Sequence, residues 1–113
     1  MEWIRSQHFF IKPKKSDVLY LRWKRQSTEV LAEMEKENRA LDHLDFKERD
    51  RLAVQFNESK CSKERLRLIE QIEPYDKAMQ AHLKRSEAIN RKQKRVDDLY
   101  EQIDIERQKE SRP

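Results

Sequence analysis

The sequence predicts an all-α protein: a long antiparallel helical hairpin, or coiled coil, preceded by a non-helical, aromatic N-terminal arm. Three observations lead there. None of the 113 residues is glycine, 42% are charged while 35% are hydrophobic, and apolar residues recur with heptad spacing. Glycine supplies most of the positive-φ positions that tight turns need. A chain without it, and with too few apolar residues to fill a layered core, is expected to form long helices with few connections.

The N-terminal arm, residues 1–15, carries a dense apolar patch that ends at Pro13, where a helix is disfavoured. The patch consists of Trp3, Ile4, Phe9, Phe10 and Ile11. A narrow two-helix seam cannot cover all of these side chains. We therefore expect the arm either to cover the open end of the hairpin near Tyr20, Trp23 and Tyr100, or to dock into a groove on another protein.

The first long helix is predicted over about 17–57, with Ser16 and Asp17 as N-cap candidates. Its apolar positions follow heptad spacing, with Ser27 and Glu37 as polar interruptions. They are Tyr20, Trp23, Val30, Met34, Leu41 and Leu44. The apolar pattern changes phase after Leu44, which indicates a stutter or a break, and Asp45 followed by Glu48 has the spacing of a cap for a new helix.

The stretch 57–62 is the most turn-like one after the arm, and a second helix is predicted over about 62–108 with a kink near Pro74. Its main apolar positions are seven residues apart: Tyr75, His82, Ile89, Val96 and Ile103. The companion positions are Ile72, Met79, Ser86, Gln93 and Tyr100, and Leu83 and Leu99 are expected to widen the stripe. The hairpin thus covers 16–110, and 111–113 form a frayed tail.

Charge blocks favour antiparallel pairing of the two helices. Residues 1–25 carry a net charge of +5, 26–58 carry −4, 59–72 carry +2, 73–95 carry +4 and 96–113 carry −3. Folding the chain about residue 60 places acidic blocks opposite basic ones, and such charges select orientation in coiled coils. An antiparallel homodimer would give the same pairing. The alternative fold is a three-helix bundle with helices over about 17–44, 46–72 and 74–108.

Two basic clusters are candidate binding patches. The first comprises Lys12, Lys14, Lys15, Arg22, Lys24 and Arg25, and the second comprises Lys84, Arg85, Arg91, Lys92, Lys94 and Arg95. Such clusters suit nucleic-acid phosphate or an acidic protein surface. They are also typical of a solvated helix face that pairs with the acidic blocks.

The sequence offers little for catalysis, and no enzyme activity, cofactor or metal is expected. A phosphate-binding loop needs glycine. His8, His43 and His82 lack metal-ligand spacing, and His82 is expected to be a structural seam residue. The single cysteine, Cys61, favours a reducing compartment. Neither a membrane span nor a secretory signal is expected.

The predicted function is a non-enzymatic coiled-coil adaptor or assembly subunit of a larger intracellular complex, of cytoskeletal or axonemal type. The expected location is cytoplasmic, with the nucleus and the mitochondrion left open. The partner-binding residues are predicted to be Trp3, Ile4, Phe9, Phe10, Ile11 and Trp23. The alternative is a nucleic-acid-associated helical protein of a ribonucleoprotein, which would use the basic clusters within 12–25 and 84–95.

Overall fold

The protein is all-α, as predicted. A computed structural model describes residues 12–112, of which 85% are helical and none is in a strand. Three helices follow one another: α1 (Lys15–Asn38), α2 (Phe46–Glu58) and α3 (Ser62–Glu110). Of the predicted N-terminal arm, residues 12–14 are non-helical, and helix α1 already begins at Lys15. Residues 1–11 lie outside the described part of the chain.

The described chain divides into two compact units. Unit I consists of the chain up to Leu31 together with the chain from Arg91 onward, and unit II is Ala32–Asn90. Within unit I, the first part of α1 packs against the last part of α3. Ser16 contacts Glu110 and Trp23 contacts Tyr100. Because the residue number rises on α1 as it falls on α3, this packing is antiparallel.

Unit II has the same antiparallel arrangement between different helices. Helix α2 lies against the first part of α3, where Phe46 contacts Tyr75 and Arg49 pairs with Asp76. The last turns of α1 contact α3 further along, through Glu37. The hairpin topology predicted from the charge blocks is therefore confirmed within each unit.

The seam follows the predicted heptads closely. The buried apolar side chains of the described residues are Val30, Leu52, Leu68, Ile89, Val96 and Ile103. Tyr75, His82 and the companion positions from Ile72 to Gln93 are half-buried, whereas Tyr100 is largely exposed. Leu99 widens the stripe as expected, but the prediction for Leu83 is wrong, because its side chain points largely to solvent.

The continuous first helix predicted over 17–57 is wrong, since α1 ends at Asn38 and α2 begins at Phe46. Between them the chain makes successive turns in which backbone N–H groups donate to carbonyls three residues earlier, as from Asp42 to Arg39. Asp45 then caps α2, and its carboxylate accepts from the Lys47 N–H at 3.0 Å. The phase change and the Asp45 cap are both visible in the sequence. A new helix leaves the backbone N–H groups of its first turn without partners inside the helix, and the Asp45 carboxylate satisfies one of them.

Of the two breaks that distinguish the three-helix bundle, only the one near residue 45 is present. Pro74 lies inside α3, which runs without interruption from Ser62 to Glu110. The turn is instead at 59–61, where the hairpin prediction placed it. The Arg65 guanidinium of α3 donates to the carbonyls of Phe56 and Ser59 and lies 4.0 Å from the Phe56 ring centroid. This side chain caps α2 where a glycine C-cap is otherwise common.

Candidate interaction surfaces

An aromatic cluster joins the two helices of unit I. Trp23 lies between Tyr20 and Tyr100, with ring centroids 5.8 and 5.2 Å away, and the Arg107 guanidinium lies 5.8 Å from the Tyr20 ring. Trp23 is half-buried, while both tyrosines keep an exposed edge. The structure therefore brings together the three aromatic residues that the sequence placed at the open end of the hairpin. The Trp23 ring packs against Tyr20 and Tyr100 of its own chain. A role for Trp23 in binding a partner stays a prediction.

The N-terminus of α1 is closed by a carboxylate from α3. The Ser16 hydroxyl donates to Glu110 Oε2 at 2.6 Å, and the Ser16 backbone N–H donates to Glu110 Oε1 at 3.2 Å. These hydrogen bonds from Ser16 lower the pKa of the Glu110 carboxyl. Asp17 accepts from the Lys14 backbone N–H at 3.0 Å. Ser16 is thus buried as a partner of Glu110 rather than acting as the N-cap, and a carboxylate at a helix N-terminus is favourable.

A polar cluster interrupts the seam of unit II. The Glu37 side chain, 10% exposed, accepts from the Arg85 Nε at 2.8 and 2.9 Å, and its Oε1 lies 2.8 Å from His82 Nδ1. The hydrogen bond from Arg85, followed by that of His82, lowers the pKa of the Glu37 carboxyl against the opposing effect of burial. The same contact raises the pKa of Arg85. Buried polar groups with specific partners fix the register of paired helices.

The sequence shows each member of this cluster but not their contact. It predicts Glu37 as a polar interruption, His82 as a seam histidine and Arg85 as part of a basic patch. Folding the chain about residue 60 places position 37 opposite 83, between His82 and Arg85. That spacing was the signal available for the pairing. The Arg85 guanidinium pairs with Glu37 in the seam. The Glu37 carboxylate therefore neutralises part of the Arg85 charge, which becomes less available to an external ligand.

The remaining basic residues fall in different surroundings. Lys12 and Lys14 are exposed before α1, and Lys15 pairs with Glu106 at 3.4 Å. Lys84 of unit II is exposed. Of the two predicted clusters, five further exposed bases in unit I make no ion pair within the described residues, and a sixth, Lys24, offers only its backbone carbonyl to Thr28. The five are Arg22, Arg25, Arg91, Lys94 and Arg95. The expected pairing with acidic blocks is thus only partly realised.

Apolar side chains also lie on outer surfaces. On α1, Val18 and Leu21 are exposed three residues apart, and Leu21 reaches 65% exposure. Residues at this spacing are neighbours on a helix surface. In unit II, Leu66 and Ile69 form a similar exposed pair on α3. The predicted partner-binding residues Trp3, Ile4, Phe9, Phe10 and Ile11 lie outside the described residues.

Unit II also carries a shallow groove between α2 and α3 with a volume of about 670 Å³. Its floor is apolar, formed by Ala53, Phe56, Ile69 and Ile72, and its rim carries Arg49, Glu73, Asp76 and Lys77. Asp76 is held by Arg49, and Lys77 pairs with Glu73 at 3.0 Å. The rim charges therefore satisfy one another.

The described residues contain no cluster of three or more His, Cys, Asp or Glu side chains suited to a metal ion. His43 lies exposed in the 39–45 connection, and Cys61 is an exposed free thiol in the turn. Among the helices of the described chain, none has an apolar stretch that could cross a bilayer.

Comparison of the sequence and structure with protein-family models, curated proteins and solved structures finds no match.

Proposed function

We propose that the protein is a non-enzymatic helical adaptor or assembly subunit of a larger intracellular complex, of cytoskeletal or axonemal type. In this proposal, the partner contacts the N-terminal arm together with the outer surface of α1 next to it. The observation that carries the proposal is the exposed pair Val18 and Leu21, which begins three residues after α1 starts. It extends the apolar character of the arm sequence onto a helix.

Burial supports the same interpretation. Six large apolar side chains are buried in the described residues, whereas ten are exposed. Exposed apolar residues are normal on a soluble protein when they are scattered singly. Here two of them lie together on α1, seven and ten residues after the last of the five apolar residues of the arm, Ile11. Aromatic residues with a nearby arginine, such as Trp3 with Arg5, are the common composition of interface hot spots.

The test is partner co-purification with the full chain and with a chain lacking residues 1–11. This deletion leaves intact the Asp17 contact to Lys14, the Lys15–Glu106 pair and the Ser16–Glu110 closure. We expect the co-purifying proteins to be lost while far-UV circular dichroism stays unchanged. The double substitution Val18→Ser/Leu21→Ser is expected to weaken capture as well, because it removes the helical part of the same surface.

The matched control is Leu66→Ser/Ile69→Ser, which removes an equally exposed apolar pair from unit II. The proposal predicts retained capture for this variant. Undiminished capture by the chain lacking residues 1–11 would contradict docking through the arm. Equal losses for the two double variants would mean that general surface hydrophobicity, rather than the N-terminal surface, holds the partner.

A further inference from the structure

Positive charge is concentrated in one of the two units. Among the described residues, unit I carries 13 Lys and Arg against eight Asp and Glu, a net charge of +5. Unit II carries 12 against 13, a net charge of −1. The modest net charge of the whole chain therefore hides a strongly basic unit. A local excess of one sign attracts polyanions far more effectively than the same charge spread evenly.

On α1, the basic residues that share a face can be placed from one contact. Lys15 pairs with Glu106 of α3, so Lys15 marks the flank of α1 that adjoins α3. Arg22 follows Lys15 by seven residues, which is close to two full turns and returns to the same flank. Arg25 comes three residues later, at a neighbouring position on the helix surface.

The same contact locates a matching pair on α3. Arg95 precedes Glu106 by 11 residues, which is close to three turns, and Arg91 precedes Arg95 by four. Both arginines therefore lie on the flank of α3 that meets α1 through Glu106 and Lys15. We call the set formed by Arg22, Arg25, Arg95 and Arg91 the arginine stripe.

The four arginines follow one another along this flank of unit I. Contacting residues of unit I have numbers that add to about 124, from the pairs Ser16–Glu110, Trp23–Tyr100 and Lys15–Glu106. Arg95 is thus level with a position near 29 of α1, and Arg91 lies about one turn further along α3. At about 1.5 Å per residue, the stripe is roughly 16 Å long with about one helical turn between neighbours.

All four arginines are exposed and none makes an ion pair within the described residues. Two acids of unit I lie near them, Glu29 close to the level of Arg95 and Asp98 three residues after it on α3. Neither is within ion-pair distance. Glu106, further along this flank, is already held by Lys15 and Lys109. The stripe therefore keeps its charge available for an external anion.

The opposite flank of unit I has a different character. Tyr20 meets Arg107 there. Asp104 precedes Arg107 by three residues and Asp97 precedes Asp104 by seven, so both acids lie on this flank. Lys24 is the base that α1 adds nearby. Two bases and two acids thus balance on this flank, so the excess positive charge of unit I lies on the arginine flank.

We propose that the arginine stripe of unit I binds the phosphodiester backbone of a nucleic acid without reading its sequence. The guanidinium group is planar and always charged, and it donates two parallel hydrogen bonds to a phosphate. A row of four such groups at nearly regular spacing matches a linear polyanion whose charges also repeat. The site borders the docking surface proposed above, because Arg22 and Arg25 follow Val18 and Leu21 by four residues each on α1, but it uses neither the arm nor these apolar side chains.

Salt dependence gives the proposal a magnitude. Each phosphate neutralised on a single strand contributes about 0.7 to the slope of log affinity against log salt, so four contacts predict a slope of about −2.8. Raising salt from roughly 50 to 200 mM should then weaken binding about 50-fold. Removing two of the four arginines should reduce the slope to about −1.4.

The experiment is fluorescence anisotropy of the full chain with labelled oligo(dT) and oligo(U) of equal length. We expect both to bind with similar slopes, because the backbone rather than the sugar or base is contacted. The test variant is Arg22→Gln/Arg95→Gln, and the matched control is Lys63→Gln/Arg67→Gln. The control pair is exposed in unit II and changes the net charge equally. Circular dichroism checks that both variants remain folded.

The expected result is a halved slope and weaker low-salt binding for Arg22→Gln/Arg95→Gln, with the control close to the unsubstituted chain. Absence of low-salt binding to both oligonucleotides overturns the proposal. Equal losses in the two double variants overturn it too, since net charge alone would then explain binding. Competition by poly-glutamate at the same charge concentration would assign the stripe to acidic protein surfaces instead.

Discussion

Ile103 is the side chain with which the packing of unit I can be tested most directly. It is fully buried, with 0% of its surface exposed, and lies in the last turns of α3. The substitution Ile103→Ala removes three methyl or methylene groups, worth about 0.8 kcal/mol each on transfer out of water. Measured Ile→Ala losses run to about 2–5 kcal/mol because a cavity remains. A two-helix seam can close partly around the gap, so the lower end of that range applies.

Alanine also gains a few tenths of a kcal/mol in helix propensity over isoleucine, which offsets part of the loss. We therefore expect Ile103→Ala to lower the free energy of unfolding by about 2–3 kcal/mol. The control is Ile105→Ala, two residues further on α3, whose side chain is 51% exposed. It makes the same chemical change and the same gain in propensity, so its effect should stay within about 0.5 kcal/mol.

Urea denaturation followed by far-UV circular dichroism measures both variants, since the signal reports the helices directly. The midpoint should fall for Ile103→Ala with an unchanged slope, which means that the exposed surface on unfolding stays the same. A loss for Ile103→Ala no larger than that for Ile105→Ala would refute the packing of α1 against α3 in unit I. If Ile105→Ala destabilised the fold more than Ile103→Ala, the face of α3 that carries Ile105 would be the buried one.

Two further substitutions test single polar contacts. Asp45→Ala removes the N-cap of α2 and should cost roughly 1 kcal/mol in urea denaturation, whereas Asp42→Ala, in the exposed connection, should cost far less. A negligible Asp45 effect would mean that α2 is not capped as described. The folded-state pKa of Glu37 lies below its ordinary 4.5, so its contribution is present above that pH and is lost as the pH falls through the lowered value. Glu37→Gln should therefore destabilise the fold at neutral pH and flatten the acid dependence of the free energy of unfolding, whereas Glu35→Gln, at an exposed position of the same helix, should change the free energy of unfolding at neutral pH by less than about 0.5 kcal/mol.

The sequence predicted α3 better than it predicted α1. In α3 the apolar positions repeat every seven residues from Tyr75 to Ile103, and one periodic pattern over so long a stretch has a single helical interpretation. The first half of the hairpin, residues 17–57, instead holds two shorter patterns of apolar residues, and the second one, after Leu44, is shifted in phase. A phase change is compatible with a stutter inside one helix or with a break. What favours a break over a stutter is the N-cap at Asp45, which contributes about 1 kcal/mol. A cap involves one side chain and one turn of helix, so the spacing of apolar residues does not reveal it.

The sequence also did not predict which polar side chains make contacts within the hairpin. Whether Arg85 serves a seam or an external ligand depends on which carboxylate lies within a few ångströms of it, and composition shows only that carboxylates are abundant. The same holds for Ser16, which looked like a cap and instead binds Glu110. Contacts across a hairpin depend on register to within one or two residues. Folding the chain about residue 60 gave the register only approximately, since the contacts of unit I place that point nearer 62.

The Arg65 cap has a consequence for the order in which the chain folds. Its contacts to Phe56 and Ser59 span nine and six residues, whereas the contact of Ser16 with Glu110 spans 94. Closing a short loop costs less entropy than closing a long one. The turn is therefore expected to form early, and pairing then proceeds from it toward the chain ends. Amide hydrogens near Ser16 should consequently exchange with solvent sooner than those near Leu68, since the last contacts to form are commonly the first to open.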